Sequence, residues 1–186
     1  MQHIAESLFR NDSNELFKRK DIVAFIGLLT IQWSRIEQEL AFLHAYLLGQ
    51  REVKDDYGNA VDAYGVSIFF AIPSLHQKLL LLKSCIEHRI SGVAATYFEK
   101  NTAKLVQAAA NQRKKFVHTG MRHKDTSLDV LIADPLVGDS FEIRVKDLHE
   151  AMDSLEAAWI SVIRFHEMCR YCLNKSHQLA LSEPLW

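Results

Sequence analysis

Arg113 and His118 are two residues of this sequence whose side-chain chemistry suits contact with a phosphate and proton transfer. An arginine side chain stays charged and pairs with phosphate oxygens through two parallel hydrogen bonds. A histidine gains and loses its proton near neutral pH, which general acid–base catalysis requires. Four residues separate the two, and the chain reaches Gly120 shortly afterwards. We therefore take Arg113 and His118 as candidate catalytic residues.

The same pair lies in a basic segment of a chain that is otherwise not basic. The whole chain has 22 Lys and Arg, 23 Asp and Glu and a formal net charge of −1, but residues 100–124 contain no Asp or Glu. At 100° per residue, one face of a helix over this segment carries polar and basic side chains. The candidate nucleic-acid-binding residues on this face are Asn111, Lys114, Lys115, Lys104 and Lys100. Such a stripe favours a polyanionic partner, although a solvated helix face has the same composition.

The helical map also raises a difficulty for the pair. Five residues along a regular helix place Arg113 and His118 about 140° apart, and Arg113 falls among apolar positions. The two converge only if the last helical turn loosens, or if a two-fold dimer sets the pair of one chain against that of another. A buried arginine also needs a partner, because an unpaired buried charge costs several kcal/mol. We predict that Glu37, flanked by Ile36 and Leu40, supports Arg113 in this way.

Four long helices are predicted to position these residues. Apolar residues recur every three or four positions from Ile22 to Leu47, and Gly49 is a predicted C-terminal cap. The polar stretch 50–65 is predicted to be a connection. Ser74 with Gln77 is typical of a capping box for a second helix, and a third is predicted over 93–118, closed by Gly120. Asp147 with Glu150 is predicted to cap a fourth.

Between the third and fourth helices, residues 126–145 alternate apolar and polar on either side of a Pro- and Gly-containing turn, which predicts a β-hairpin. With only 7 Gly and 3 Pro, the composition favours helix throughout. The predicted fold class is all-α: an antiparallel up-down four-helix bundle with a small β-hairpin insertion between helices three and four. Residues 1–186 are predicted to form one domain.

The segment from Arg113 to His118 resembles the motif of the HEPN superfamily, whose members are helical bundles with an arginine, four to six residues and then a histidine. The first helix, with Ile31-Gln-Trp-Ser-Arg-Ile-Glu-Gln-Glu-Leu40, is also similar to the opening helix of bacterial members. The resemblance covers most of the chain in architecture but few residues in motif. A second match, Arg170 with His177, lies near the C-terminus. Lys114 stands where the family often has asparagine or another small polar residue.

This resemblance implies metal-independent RNA cleavage or RNA binding by a homodimer. In cleavage the 2′-hydroxyl attacks the adjacent phosphate and leaves a cyclic phosphate and a free 5′-hydroxyl. Relatives act in defence or toxin–antitoxin systems, so a protein partner such as an antitoxin is also implied. The alternative from another class is a non-catalytic helical interaction or scaffold module. In that module Arg113 pairs structurally with Glu37 or Glu39, and the basic stripe is merely solvated.

A second group of residues has the composition of a zinc site but not its usual setting. His166, Cys169, Cys172 and His177 lie close in sequence, yet His166 and Cys169 fall on the apolar seam of a predicted helix. We therefore predict a core histidine and buried thiols, with no metal and no cofactor. His44 shares a helix face with Glu37 and is predicted to pair with it at the surface, without a functional role. Trp33 is predicted to be a core or dimer-interface anchor.

The sequence shows no recognisable targeting signal, which favours a cytoplasmic location. The first residues lack a basic start followed by an unbroken apolar run, so no secretory signal is predicted. The most apolar window, 22–33, soon meets Arg35, Glu37 and Glu39 and is too short to span a bilayer. Three cysteines fit reduced thiols better than a disulfide framework. We expect a cytoplasmic protein with no membrane partner.

Overall fold

The computed structural model describes residues 20–49, 53–54, 60–61, 63–117, 119–124, 127–135 and 140–182. Most of these residues are helical, so the prediction of a mostly helical fold is confirmed. The α-helices in chain order are α1 (Lys20–Leu48), α2 (Ala63–Ala71), α3 (Leu75–Arg89), α4 (Gly92–Tyr97), α5 (Lys104–Val117) and α6 (Val145–Ser182). A π-helical segment, Phe98–Ala103, joins α4 to α5.

Two helix ends follow the local signals in the sequence. Helix α1 ends at Leu48, and Gly49 has φ of 67°, the left-handed conformation that glycine adopts without steric cost, so its predicted role as a cap is confirmed. Helix α3 begins after Ser74, whose hydroxyl accepts a hydrogen bond from the Gln77 backbone N–H at 3.2 Å. That contact confirms Ser74 as the N-cap.

The predicted third helix is present, because α4, the π segment and α5 follow one another without a break from Gly92 to Val117. Three other predictions about helix limits are wrong. Helix α2 forms where the connection was expected to continue to residue 65. Gly120 does not cap the third helix but belongs to a strand. Helix α6 begins at Val145, and Asp147 accepts a hydrogen bond from the Arg144 backbone N–H at 2.8 Å, so Asp147 acts from inside the first turn.

The described strands form two antiparallel sheets. Strands β1 (Val53–Lys54) and β2 (Ala60–Val61) pair with each other. Strands β3 (Thr119–Lys124), β4 (Ser127–Pro135) and β5 (Phe141–Ile143) form the second sheet in the order β3-β4-β5. Strands β4 and β5 lie in the segment for which a hairpin was predicted, with Leu131 opposite Ile143. Strand β3 was not predicted, and it pairs Gly120 with Asp134.

The chain divides into two compact units, each with its own buried side chains. The first unit contains residues 20–34 and 108–156. Its buried side chains come from α1, α5, β5 and α6: Ile22, Leu29, Trp33, Ala109, Phe116, Ile143, Leu148, Ala151 and Leu155. Those from α1 include seam positions of the predicted first helix, so three- and four-residue spacing identified its buried face correctly.

The second unit contains residues 35–107 and those from 157 onward. It buries Ile36, Leu40, Leu43 and Leu47 of α1, together with side chains of α2, α3, the π segment and α6. Helix α2 approaches α1 closely at Gly65. A Cβ at this position would meet the Cα of Ala45 at 2.9 Å, so the close approach requires glycine.

The buried face of α6 is rotated from the prediction. His166 was expected on the seam but is only partly buried, as are the residues at the same spacing along the helix: Met152, Trp159 and Leu173. Ala151, Ala158 and Phe165 are buried in their place, beside Leu155, Val162 and Cys169. Two of the three replacements are alanines, which carry a weaker hydrophobic signal than the larger residues next to them. The rotation sets His166 at the edge of the buried face.

Candidate functional site

Helix α5 holds Arg113 in the first unit, with its guanidinium against an aromatic ring. The Cζ of Arg113 lies 5.7 Å from the ring centroid of Trp33, which is a cation–π distance. Trp33 is buried in α1, as predicted for a core anchor. The side chain of Arg113 is itself partly buried. The predicted apolar surroundings of this arginine are therefore correct, but the partner is an indole and not a carboxylate.

The polar atoms of Arg113 are incompletely satisfied. Its Nε is buried and has no hydrogen-bond partner within the described part of the chain. A buried donor without a partner costs about 1–3 kcal/mol, so such groups are uncommon in folded proteins. The indole face stabilises the charge without using any of the N–H donors. Because Nε is buried, a hydrogen bond to an external oxyanion falls to the two Nη groups of Arg113.

The predicted support of Arg113 by Glu37 is not what the structure records. Glu37 Oε1 lies 3.1 Å from Nζ of Lys78, and Lys78 is buried. The ammonium also lies 5.2 Å and 5.4 Å from the ring centroids of Phe69 and Phe70. A lysine in such apolar surroundings needs a nearby carboxylate, because its ammonium has lost most of its hydration. Glu37 therefore serves a structural role in the second unit, as the carboxylate partner of Lys78.

The predicted nucleic-acid-binding residues are exposed. In the first unit Asn111, Lys114 and Lys115 lie on the solvent side of α5, next to Arg113 in sequence. Lys100 of the π segment and Lys104 of α5 are exposed in the second unit. The expected separation of apolar and basic faces is thus correct at all five positions.

His118, the second half of the predicted catalytic pair, lies outside the described residues. Helix α5 ends immediately before it and β3 begins immediately after it.

The second unit contains a histidine–carboxylate pair that the sequence did not reveal. Nδ1 of His166 lies 2.6 Å from Oε1 of Glu39, and the two residues are 127 positions apart in the chain. The other ring nitrogen, Nε2, is buried without a hydrogen-bond partner among the described residues. The ring of Tyr46 lies 5.7 Å away, centroid to centroid. The four-three spacing of apolar residues in α1 and α6 predicted that both helices contribute to a core. It did not predict which side chains of the two helices would pair.

The cysteines near His166 are poor metal ligands in this setting. Cys169 is fully buried, and burial, followed by the neighbouring Cys172, raises the pKa of its thiol to about 12. Zinc binds the thiolate, and burial raises the free-energy cost of forming a thiolate at Cys169. Across the described residues, no group of three His, Cys, Asp or Glu side chains has the arrangement of a metal site. The side chain of His177 lies outside the described residues.

His44 is not a surface residue, contrary to the prediction. It is 1% exposed, and its Nδ1 lies 2.9 Å from the carbonyl oxygen of Gly65. Its ring is 5.7 Å from that of Phe69. The contact ties α1 to α2, a helix that the sequence analysis had not predicted. His44 is thus a structural residue of the second unit.

Comparison of the chain with protein-family models, with curated proteins and with solved structures gives no match. Within the described residues, no helix combines the length and the apolar character needed to cross a membrane. The case for a function therefore depends on the side chains described above and on the motif in the sequence.

Proposed function

We propose that this protein is a HEPN-like helical protein that binds RNA and cleaves it without a metal ion. Arg113 and His118 are the proposed catalytic residues, and Asn111, Lys114 and Lys115 are the proposed contacts to the RNA backbone on either side of the cleavage point. In this proposal the helices form the antiparallel up-down bundle with a hairpin insertion expected from the sequence. The proposal also includes a cytoplasmic location and a role in toxin–antitoxin or defence systems.

One observation carries the proposal: among the described residues, Arg113 is held by Trp33 and not by a carboxylate. A scaffold arginine would be neutralised by an acidic side chain, as Lys78 is by Glu37. The recorded partner of Arg113 is an indole ring at 5.7 Å, and its Nε has no partner among the described residues. A positioned, charged and under-used guanidinium is suited to stabilise negative charge that develops on a phosphate.

The proposed reaction is transfer of a phosphodiester within RNA. A His118 imidazole takes the proton of the 2′-hydroxyl as its oxygen forms a bond to phosphorus, and the bond from phosphorus to the 5′-oxygen breaks. A protonated imidazole returns a proton to the leaving oxygen, and a homodimer supplies the second imidazole. Arg113 binds the non-bridging oxygens throughout. General acid–base help of this kind is worth about 10²–10⁴ in rate.

The rival proposal is a non-catalytic interaction module that packs on a second copy or on an acidic protein. It requires Arg113 to be a structural residue with an acidic partner. The contact with Trp33 favours the RNA site over this rival, because an indole leaves the guanidinium charge uncompensated.

The decisive experiment is incubation of the purified full chain with mixed-sequence RNA in EDTA. We expect products that end in a cyclic phosphate and a free 5′-hydroxyl, and a loss of at least about 100-fold in rate for His118→Ala and for Arg113→Gln. His88→Ala and Arg35→Gln are matched controls. His88 is exposed at the end of α3, and Arg35 lies over the ring of Trp159 at 6.0 Å. Both controls should cleave at the parental rate.

Two other outcomes of this experiment would distinguish an RNA-binding protein from an interaction module. RNA binding that depends on Arg113, without cleavage, would reduce the proposal to a binding protein. Absence of both activities would favour the interaction module. Sedimentation of the same samples tests the dimer, since a strictly monomeric protein that cleaves RNA would contradict the shared site. A Lys114→Asn variant tests whether the departure from the family pattern limits the rate.

A further inference from the structure

A small pocket lies in the second unit between α3 and the π segment. Its volume is about 210 Å³, which is below the range of about 300–1,000 Å³ typical of pockets for drug-sized ligands. His76, Leu79, Leu80 and Lys83 line it from α3. The opposite wall consists of π-segment residues and the first residue of α5. Apart from Lys104, which is also among the candidate nucleic-acid-binding residues, none of these residues belongs to the Arg113 site.

The π turn explains how that opposite wall is built. Two pairs of residues five positions apart, Phe98 with Ala103 and Glu99 with Lys104, all line the pocket. On a regular α-helix such pairs point about 140° apart and would not share a wall. A π turn has more residues per turn than an α-helix, so residues five apart lie closer to one face, as Phe98 and Ala103 do at the two ends of this segment. π turns are rare and frequently occur at functional sites, which makes this pocket more than an accident of packing.

The floor of the pocket is apolar and rigid. Phe98 is fully buried, and its ring centroid lies 5.1 Å from that of Phe165. Leu79 is nearly buried, whereas Leu80 is 49% exposed beside it. Water against such a surface is readily displaced by an apolar group, and the displacement favours binding.

The rim carries one charge that no neighbour cancels. Nζ of Lys83 and Oε2 of Glu99 lie 2.8 Å apart and neutralise each other. Lys104 is exposed, and among the described residues it has no recorded acidic partner. A ligand that fills the pocket therefore meets an apolar floor and one positive charge at the edge.

We infer that this pocket binds a small carboxylate with an apolar body, its carboxylate on Lys104 and its body on Leu79, Leu80 and Phe98. The volume excludes large ligands, and the single uncompensated cation selects a monoanion over a neutral molecule. The pocket shares Lys104 with the candidate nucleic-acid-binding face but none of its other lining residues, and its binding can be tested in the absence of RNA.

The test uses the full-length ¹⁵N-labelled protein and 3-phenylpropionate as the probe. We expect saturable shifts of backbone amide signals centred on Leu80 and Ala103. The neutral 3-phenylpropanamide should bind about tenfold more weakly, because it loses the charge-assisted hydrogen bond. Lys104→Gln should weaken binding of the carboxylate by a similar factor. Lys146→Gln, at an exposed lysine of α6, is the matched control and should leave the affinity unchanged.

A second variant tests the pocket without altering charge. Ala103→Leu puts three more carbons into the pocket from a partly exposed position, so it should abolish the shifts while the protein stays folded. The inference is overturned if the parent shows no saturable shifts with 3-phenylpropionate. It is equally overturned if the amide binds as tightly as the carboxylate, or if binding survives in Ala103→Leu.

Discussion

The guanidinium carbon of Arg113 lies 5.7 Å from the centre of the Trp33 ring, across the contact between α5 and the first half of α1. Trp33 is 6% exposed, so the indole is fixed by the core that surrounds it. Arg113 is thereby positioned, and no carboxylate in the described part of the chain neutralises it. The proposed RNA site requires an arginine that is held in place and keeps its charge. By contrast, the buried Lys78 is paired with the carboxylate of Glu37.

The contact between Arg113 and Trp33 should appear as a coupling energy. We expect a double-mutant cycle with Arg113→Met and Trp33→Leu, measured by urea unfolding, to yield about 0.5–2 kcal/mol. The same cycle on Arg35 and Trp159, where the arginine is exposed and lies 6.0 Å from the ring, should yield less. Additive effects at Arg113 and Trp33 would show that the two side chains do not stabilise each other.

Two Lys–Glu ion pairs of the second unit should contribute differently to the free energy of unfolding. We expect the more buried pair to contribute more, although its N–O distance is longer. Glu37→Gln leaves the buried Lys78 ammonium without a carboxylate, and we expect a loss of about 1–3 kcal/mol in the free energy of unfolding. Glu99→Gln breaks the shorter pair with Lys83, at 2.8 Å, but both side chains are more exposed. That loss should stay below about 1 kcal/mol.

Urea denaturation of the two variants, compared at one pH and ionic strength, gives the measurement. Added salt should reduce the effect of Glu99→Gln more than that of Glu37→Gln, because screening acts mainly on exposed charges. Equal losses would mean that Glu37 is not essential for burial of Lys78.

Gly65 and Gly27 should respond in opposite directions to alanine. A Cβ at Gly65 meets Cα of Ala45 at 2.9 Å, and backbone atoms cannot move aside cheaply. Overpacking of this kind costs about 1–3 kcal/mol, which exceeds the gain of about 1 kcal/mol from helix propensity. Gly27 has nothing within 4 Å of such a Cβ, so Gly27→Ala should stabilise α1. Thermal unfolding of both variants checks the signs, and stabilisation by Gly65→Ala would contradict the close approach of α2 to α1.

Cys169 should make stability depend on pH in the alkaline range. Burial raises the pKa of its thiol from the ordinary 9.0 to about 12, so the folded state keeps the proton that the unfolded chain releases above pH 9. The resulting stabilisation is complete below pH 9 and declines as pH rises towards 12, by at most about 1.4 kcal/mol per pH unit.

Cys169→Ala isolates this contribution from that of other groups that titrate in the same range. We expect the fall in unfolding free energy between pH 8 and pH 10 to be smaller in the variant than in the parent, even though the variant is less stable at both. An identical fall in the two proteins would show that the thiol does not contribute.

Local sequence determined the helical character of the chain, the buried face of α1, the caps at Ser74 and Gly49, and the exposure of the basic residues. These features depend on hydrophobic spacing and hydrogen bonds within a few residues, which the sequence displays directly. The apolar setting of Arg113 was predictable for the same reason.

Tertiary structure decided which side chains meet. Glu37 pairs with Lys78, Glu39 with His166, and Arg113 with Trp33, although nothing in the spacing of these residues distinguishes one partner from another. The π turn that aligns Phe98 with Ala103 also has no local signature here, because its extra residue shifts every later side chain around the helix. Partners many positions apart are selected by how the helices pack and rotate, and that depends on the whole set of contacts at once.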